Sequence, residues 1–225
     1  MLPLLPRDLG RPLRVLAVGA HPDDVEIGAG GTLLELVRSV PDVCVDVLVL
    51  TGTAERAEEA RNGAVAFLAG AEHTVQVHDL PDGRLPAAWL QAKELLEAVA
   101  VSRPRPDLIL APSRDESHQD HRTVAELLPT VFRGVLTLGY EIGKWDGDLI
   151  RRPVYVPLPD EIATRKADLL LQLFPSQHDR HWYHREVFLG LARLRGIECQ
   201  SHYAEAFTCA KITLQFAPGG NRDPY

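Results

Sequence analysis

The sequence predicts an α/β fold, a three-layer αβα sandwich on a mostly parallel sheet, followed by a C-terminal α+β appendage. Three observations predict it. Through residue 140, short β-rich apolar runs alternate with longer runs of helical periodicity, the rhythm of βαβ units. The apolar runs are nearly continuous, as expected of strands covered on both faces. Beyond Tyr140 the rhythm gives way to a turn-rich stretch and a sparser mixture of strand and helix signals.

The first strand is expected at 13–20 (LRVLAVGA), bounded by proline before it and His-Pro after it. A helix follows in GGTLLELVRSV, where Leu33, Leu34 and Val37 share one face. VCVDVLVLT (43–51) reads as a second buried strand, and AERAEEARNGAVAFLAG as a helix stopping at Gly70. TVQVHDL (74–80) and AAWLQAKELLEAVAVSR (87–103) give the third strand and helix. PDLILAP (106–112) is a fourth strand ended by proline, HRTVAELLPTVFRG (121–134) a helix, and VLTLGY (135–140) a fifth strand. The set is a Rossmann-like sandwich. After turn formers in EIGKWDGDLIRRP come a strand in VYVPL and a helix in DEIATRKADLLLQLF with Asp160 as its cap. A further helix is expected in REVFLGLARLRG, an edge strand in CAKITLQF, and a disordered tail in PGGNRDPY.

A length of 225 residues suits one domain over 1–225, with its core at 13–140, the appendage at 141–216 and the tail at 217–225. Hydrophobic residues at 45% argue against a disordered chain. The formal charge of −7, without a long basic run, argues against nucleic acid as a partner. No apolar run reaches the ~18 residues of a membrane span, and no secretory signal pattern opens the chain, so a cytoplasmic location is expected. Cys44, Cys199 and Cys209 are too few and too scattered for a disulfide framework and read as buried thiols.

Two short motifs carry the chemistry. His21-Pro22-Asp23-Asp24 stands directly after the first strand, where open α/β sheets bind ligands. Two carboxylates there would repel a pyrophosphate, and the later glycines form GAGG rather than GxGxxG, so a dinucleotide site is disfavoured. Acids and an imidazole are costly at a sheet end unless neutralised, and a divalent cation does this directly. Imidazole nitrogen and carboxylate oxygen suit zinc, with one aspartate as ligand and the other facing outward as a base. The plainer alternative makes His21 a turn cap and the aspartates helix caps.

His118-Gln119-Asp120-His121 follows the fourth strand at the start of a helix. Histidines three apart in a helical first turn can face one site, and Asp120 between them can accept an imidazole N–H. A solvated polar loop is the plainer reading of this motif alone. Both motifs lie at carboxyl ends of strands expected to be parallel, which brings them together.

AHPDD after a first strand, with a downstream HxDH, resembles the PIG-L/LmbE-like family of zinc-dependent N-acetylglucosamine de-N-acetylases. The wider AHPDDVEIGAGGTL strengthens the likeness, which runs from about Leu13 to YAEAF. The resemblance implies His21, Asp24 and His121 as ligands of one Zn2+ per chain (another divalent metal being the alternative). It implies Asp23 as general base, His118 as the residue stabilising or protonating the tetrahedral intermediate, and Asp120 as support for a histidine. It implies removal of an N-acetyl group from an amino-sugar conjugate by zinc-bound water that Asp23 activates. It also implies a homo-oligomer, with a hexamer as one form. TGTAERAEEAR departs from the long glycine-rich loop of many relatives, so no substrate-binding role is carried over to Arg56, and the substrate-binding residues are left unassigned. Other readings keep the zinc but change the substrate to another small amide, or make the chain a non-catalytic nucleotide-sugar-binding module.

Elsewhere, His178, His181, His184 and His202 lack a ligand spacing and read as surface or pocket-wall residues. Trp145 and Asp146 suit a sugar ring or, equally, an ordered loop. AERAEEAR reads as a solvated helix face.

Overall fold

The computed structural model describes residues 9–213. Its first half contains β1 (Leu13–Gly19), α1 (Asp24–Ser39), β2 (Val43–Thr51), α2 (Ala54–Phe67), β3 (Glu72–Leu80), α3 (Trp89–Ser102) and β4 (Leu108–Pro112). Then follow α4 (Gln119–Val131), β5 (Leu136–Tyr140), β6 (Val154–Leu158), α5 (Asp160–Leu173), α6 (Arg185–Glu198) and β7 (Tyr203–Cys209). The strands form one seven-stranded sheet in the order β3-β2-β1-β4-β5-β7-β6. β1 to β5 are mutually parallel, and β7 runs antiparallel between β5 and β6.

The winding fixes where a site can form. The chain steps from β1 outward to β3, then crosses back to lay β4 on the other side of β1. The connections after β1 and after β4 therefore leave neighbouring strands at the same sheet end, which opens a crevice there.

Helices cover both faces. Leu33 of α1, Phe67 of α2, and Leu170 and Phe174 at the end of α5 bury against one face. Leu96 of α3 and Leu127 of α4 pack with Leu16 and Leu48 against the other. Each such side chain contributes about 1.5–3 kcal/mol of burial. The three-layer αβα architecture is therefore as expected from the alternation of runs.

Several boundaries differ from expectation, each for a physical reason. α1 begins at Asp24, so GAGG lies inside the helix and not ahead of it. Glycine in a helix costs up to about 1 kcal/mol relative to alanine, but packing demands it here. A Cβ on Gly28 would run into the Tyr140 ring, and one on Gly31 into Leu158 and Glu205. α2 ends at Phe67, and Gly70, at φ +102°, turns the chain three residues later. Pro159 occupies the cap position of α5, so Asp160 is its first helical residue and caps nothing.

The last strand is Tyr203–Cys209, inside the sheet, whereas CAKITLQF was expected as an edge strand. Glu205 disguised it: this carboxylate is buried on the Lys166 ammonium at 2.6 Å and accepts the Gly31 and Thr32 amides of α1 at 2.8 and 2.7 Å. Residues 210–213 carry no strand; residues 214–216 and the expected tail lie outside the described residues. The three cysteines are unpaired and half-buried, not fully buried.

Candidate active site

His21 leaves the carboxyl end of β1, Asp24 opens α1, and His118 is the N-cap of α4, its Nδ1 accepting the Asp120 amide at 3.2 Å. Because β1 and β4 are neighbours, the two motifs face one another across the crevice between them. Asp23 makes the corner with φ at +110°, a conformation that costs a non-glycine residue about 1–3 kcal/mol. Its side chain forms no capping bond to the helix it precedes.

Three donor atoms from the two motifs form a nearly equilateral triangle. His21 Nδ1 and Asp24 Oδ2 are 3.4 Å apart, His121 Nε2 and Asp24 Oδ2 3.3 Å, and the two imidazole nitrogens 3.3 Å. A tetrahedral ion with bonds of about 2.0–2.1 Å requires ligand separations of about 3.3–3.4 Å. The residues therefore fit a zinc-sized cation. The outward nitrogens are also engaged. His21 Nε2 lies 3.2 Å from Asp120 Oδ2 and 3.1 Å from Asp82 Oδ1, and His121 Nδ1 lies 3.2 Å from Glu116 Oε2. Carboxylates behind ligating imidazoles are the usual outer support of a metal site.

Two other groupings are geometrically open: His21 with His118 and His121, and His21 with Asp82 and Asp120. The second is less suited, because Asp120 is already committed to the Gly83 and Leu85 amides at 2.7 and 2.9 Å while Asp82 is largely exposed. Among the described residues, every grouping of this kind includes His21, and His178, His181, His184 and His202 join none. His202 pairs with Asp160 at 2.7 Å instead.

Electrostatics separates the roles. Burial raises Asp23 to about 7, aided by the charge of Asp24 and opposed by the Arg56 guanidinium. Against the same burial, His121 and His21 hold Asp24 well below the usual carboxylate range. Burial would lower His21 and His121, but Asp24 and their outer carboxylates raise both. His118 is pressed down to about 4 by burial and by the two facing imidazoles. It is therefore neutral at neutrality and, with Nδ1 accepting, carries its proton on Nε2.

Sequence reading missed three residues at this site. Arg56, on the first turn of α2, donates to Pro22 O at 2.9 Å and reaches Asp23 Oδ1 at 3.3 Å and Asp82 Oδ2 at 3.4 Å. The short TGTAERAEEAR segment thus places an arginine in the crevice, and its run is not wholly a solvated face. Asp82 sits in the turn after β3, and only its place beyond a parallel strand could have signalled it. Glu116 lies five residues before His121, with no periodicity to link them. Trp145 stacks on His181 with ring centroids 5.4 Å apart, and its loop reaches the residue before the second motif, where Asp148 accepts the Ser117 amide at 2.6 Å.

The chain matches the GlcNAc-PI de-N-acetylase family over residues 16–132, more than half its length, and belongs to that family. It is 30% identical over 142 residues to the uncharacterized deacetylase YaiS of Escherichia coli K12, covering 56% of this chain and 72% of YaiS. The N,N'-diacetylchitobiose deacetylase of Pyrococcus horikoshii superposes with a TM-score of 0.64 at 22% identity, over 87% of this chain and 83% of that one. The 4-carboxy-2-hydroxymuconate hydratase GalB of Pseudomonas putida KT2440 superposes with 0.68 at 16% identity, over 92% and 100%. The fold alone thus does not set the reaction. Family membership and the YaiS likeness do: the chain is a hydrolase of the deacetylase class, and a non-catalytic nucleotide-sugar module is set aside.

Proposed function

We propose that this deacetylase removes the N-acetyl group from an N-acetylglucosamine-type amino-sugar conjugate, with one Zn2+ held by His21, Asp24 and His121 and with Asp23 as general base. The observation that carries it is the triangle of three donor atoms with 3.3–3.4 Å edges beside a carboxylate raised to about 7. When bound there, the ion would acidify a water and polarise the amide carbonyl.

The chain's own residues supply the rest. Asp23 accepts the proton of the attacking water, and its raised pKa keeps it basic enough to do so near neutrality. His118 offers its Nε2–H to the oxygen on which charge develops, a task a neutral imidazole performs. Asp23 then returns the proton to the departing nitrogen, and acetate and a primary amine leave. Asp120 holds His21 by its outer nitrogen. Arg56 steadies Asp23 and, with the exposed Asp82 beside it, offers charged partners to sugar hydroxyls.

The amino-sugar assignment is supported by the family description, by the chitobiose deacetylase likeness and by the open Arg56–Asp82 edge. A panel of N-acetylglucosamine conjugates and simple acetamides, followed by primary-amine release, tests it. Release confined to simple acetamides would move the assignment to another small amide. A cytoplasmic location is part of the same proposal, supported by three unpaired cysteines. So is a homo-oligomer, supported by exposed Leu194 and Ile197 on α6, and checked by light scattering. No helix among the described residues is long and apolar enough to cross a membrane.

A further inference from the structure

The support behind His121 continues well beyond the site. Glu116 is buried; Oε2 faces His121 Nδ1 at 3.2 Å, and Oε1 accepts the Ile142 amide at 3.3 Å. Next to it stands Arg152, the largest fully buried side chain, only 1% exposed. Arg152 donates through Nε to Glu141 Oε2 at 3.1 Å and through Nη1 to Gly139 O at 3.3 Å. Its Nη2 makes no hydrogen bond and lies 3.9 Å from Glu116 Oε1. Arg195 of α6 clamps Glu141 from the other side at 2.8 and 2.7 Å.

Four buried charges in a row are costly, at several kcal/mol per ion before pairing. Their signs alternate, so the row is neutral, and charge balance accounts for a second carboxylate beside Arg152. It does not account for that carboxylate's other oxygen facing an imidazole of the candidate metal site. The chemistry of the imidazole explains it. A neutral ring that bonds a carboxylate through Nδ1 must carry its proton there, which leaves the lone pair on Nε2. Nε2 is the atom 3.3 Å from both Asp24 Oδ2 and His21 Nδ1.

We propose that Glu116, anchored by the Ile142 amide and faced by the Arg152 guanidinium, is a positioning residue for His121, fixing its Nδ1–H tautomer and aiming Nε2 at the cation site. The inference rests on His121 being a ligand, as proposed above. Arg152 gives Glu116 its counter-charge, and Arg152 is itself held by Glu141, which Arg195 clamps, and by Gly139 O. The site is thereby tied to α6, far along the chain from either motif.

Two measurements on the purified full chain test this. In the metal-free wild type, at a pH where the ring is neutral, the nitrogen-15 spectrum should show His121 as the Nδ1–H tautomer; an Nε2–H ring overturns the proposal. Zinc dissociation constants by chelator competition should rise about 10–100-fold in Glu116→Gln, with a mixture of tautomers appearing in the metal-free variant. Binding within twofold of wild type, with the variant folded by circular dichroism, also overturns it. If Glu116→Gln fails to fold, the wild-type tautomer still decides. Wild-type protein that binds no zinc would instead sink the reading of His121 as a ligand, whatever its tautomer.

Discussion

Asp23 shows how much one residue can be asked to do. It sits at φ +110°, where a side chain is strained, and it is buried beside another carboxylate, where charge is penalised. Its carboxylate gains nothing from the helix, since the side chain makes no capping bond. Strain and desolvation of this kind persist where the surroundings over-determine a functional group. Asparagine tolerates the left-handed region better than most residues, so Asp23→Asn should fold normally. It should keep its zinc and lose about 10²–10⁴ in kcat, because the amide cannot accept the water's proton. Metal analysis paired with acetate release checks this, and an undiminished rate would remove Asp23 as the base.

At the scale of elements, α1 is where the site meets the core. Its first turn carries Asp24, and its middle is gripped by Lys166 and Glu205, Lys166 donating to Ile27 O at 2.6 Å while Glu205 takes two amides. Removing one partner of such a buried pair strands the other, so Glu205→Ala should cost about 3–5 kcal/mol, read as a lower denaturation midpoint. Gly28→Ala should cost about 1–3 kcal/mol by driving a methyl into the Tyr140 ring, and an unchanged midpoint would show that the ring yields freely. These contacts also explain what the sequence concealed. The strands at Val43–Thr51 and Val154–Leu158 coincide with the expected ones because apolar, β-branched runs between turn formers identify themselves. The start of α1 and the strand at Tyr203–Cys209 were hidden because glycines and a glutamate occupy interior positions, justified only by partners elsewhere in the chain. His21, Asp23, Asp24, His118, Asp120 and His121 were legible as two ordered motifs. Glu116, Arg56 and Asp82 were not, since each reaches the motifs only where segments following different strands meet in space.

For the whole molecule, the crossover from β3 to β4 would couple the proposed metal to stability. His21 and Asp24 come from the β1 end and His121 from the β4 end, so an ion held as proposed would bridge both halves of the winding and favour the folded chain. Ligand held at 100 times its dissociation constant stabilises by about 2.7 kcal/mol. A chelator should therefore lower the melting temperature by several degrees, and His121→Ala should show no such response. The effect has a definite pH sign. His21 and His121 are raised above their ordinary value by Asp24 and the outer carboxylates, despite burial. Their contribution to the metal-free fold is complete below the unfolded pKa of about 6.5 and is lost as pH climbs through the raised folded values. The same protons occupy the lone pairs that a cation needs, so binding expels them and strengthens with pH. The metal-induced rise in melting temperature should consequently be small near pH 6 and grow toward pH 8. A gap that stays flat or shrinks over that range would mean that the cation is not bound through these imidazoles.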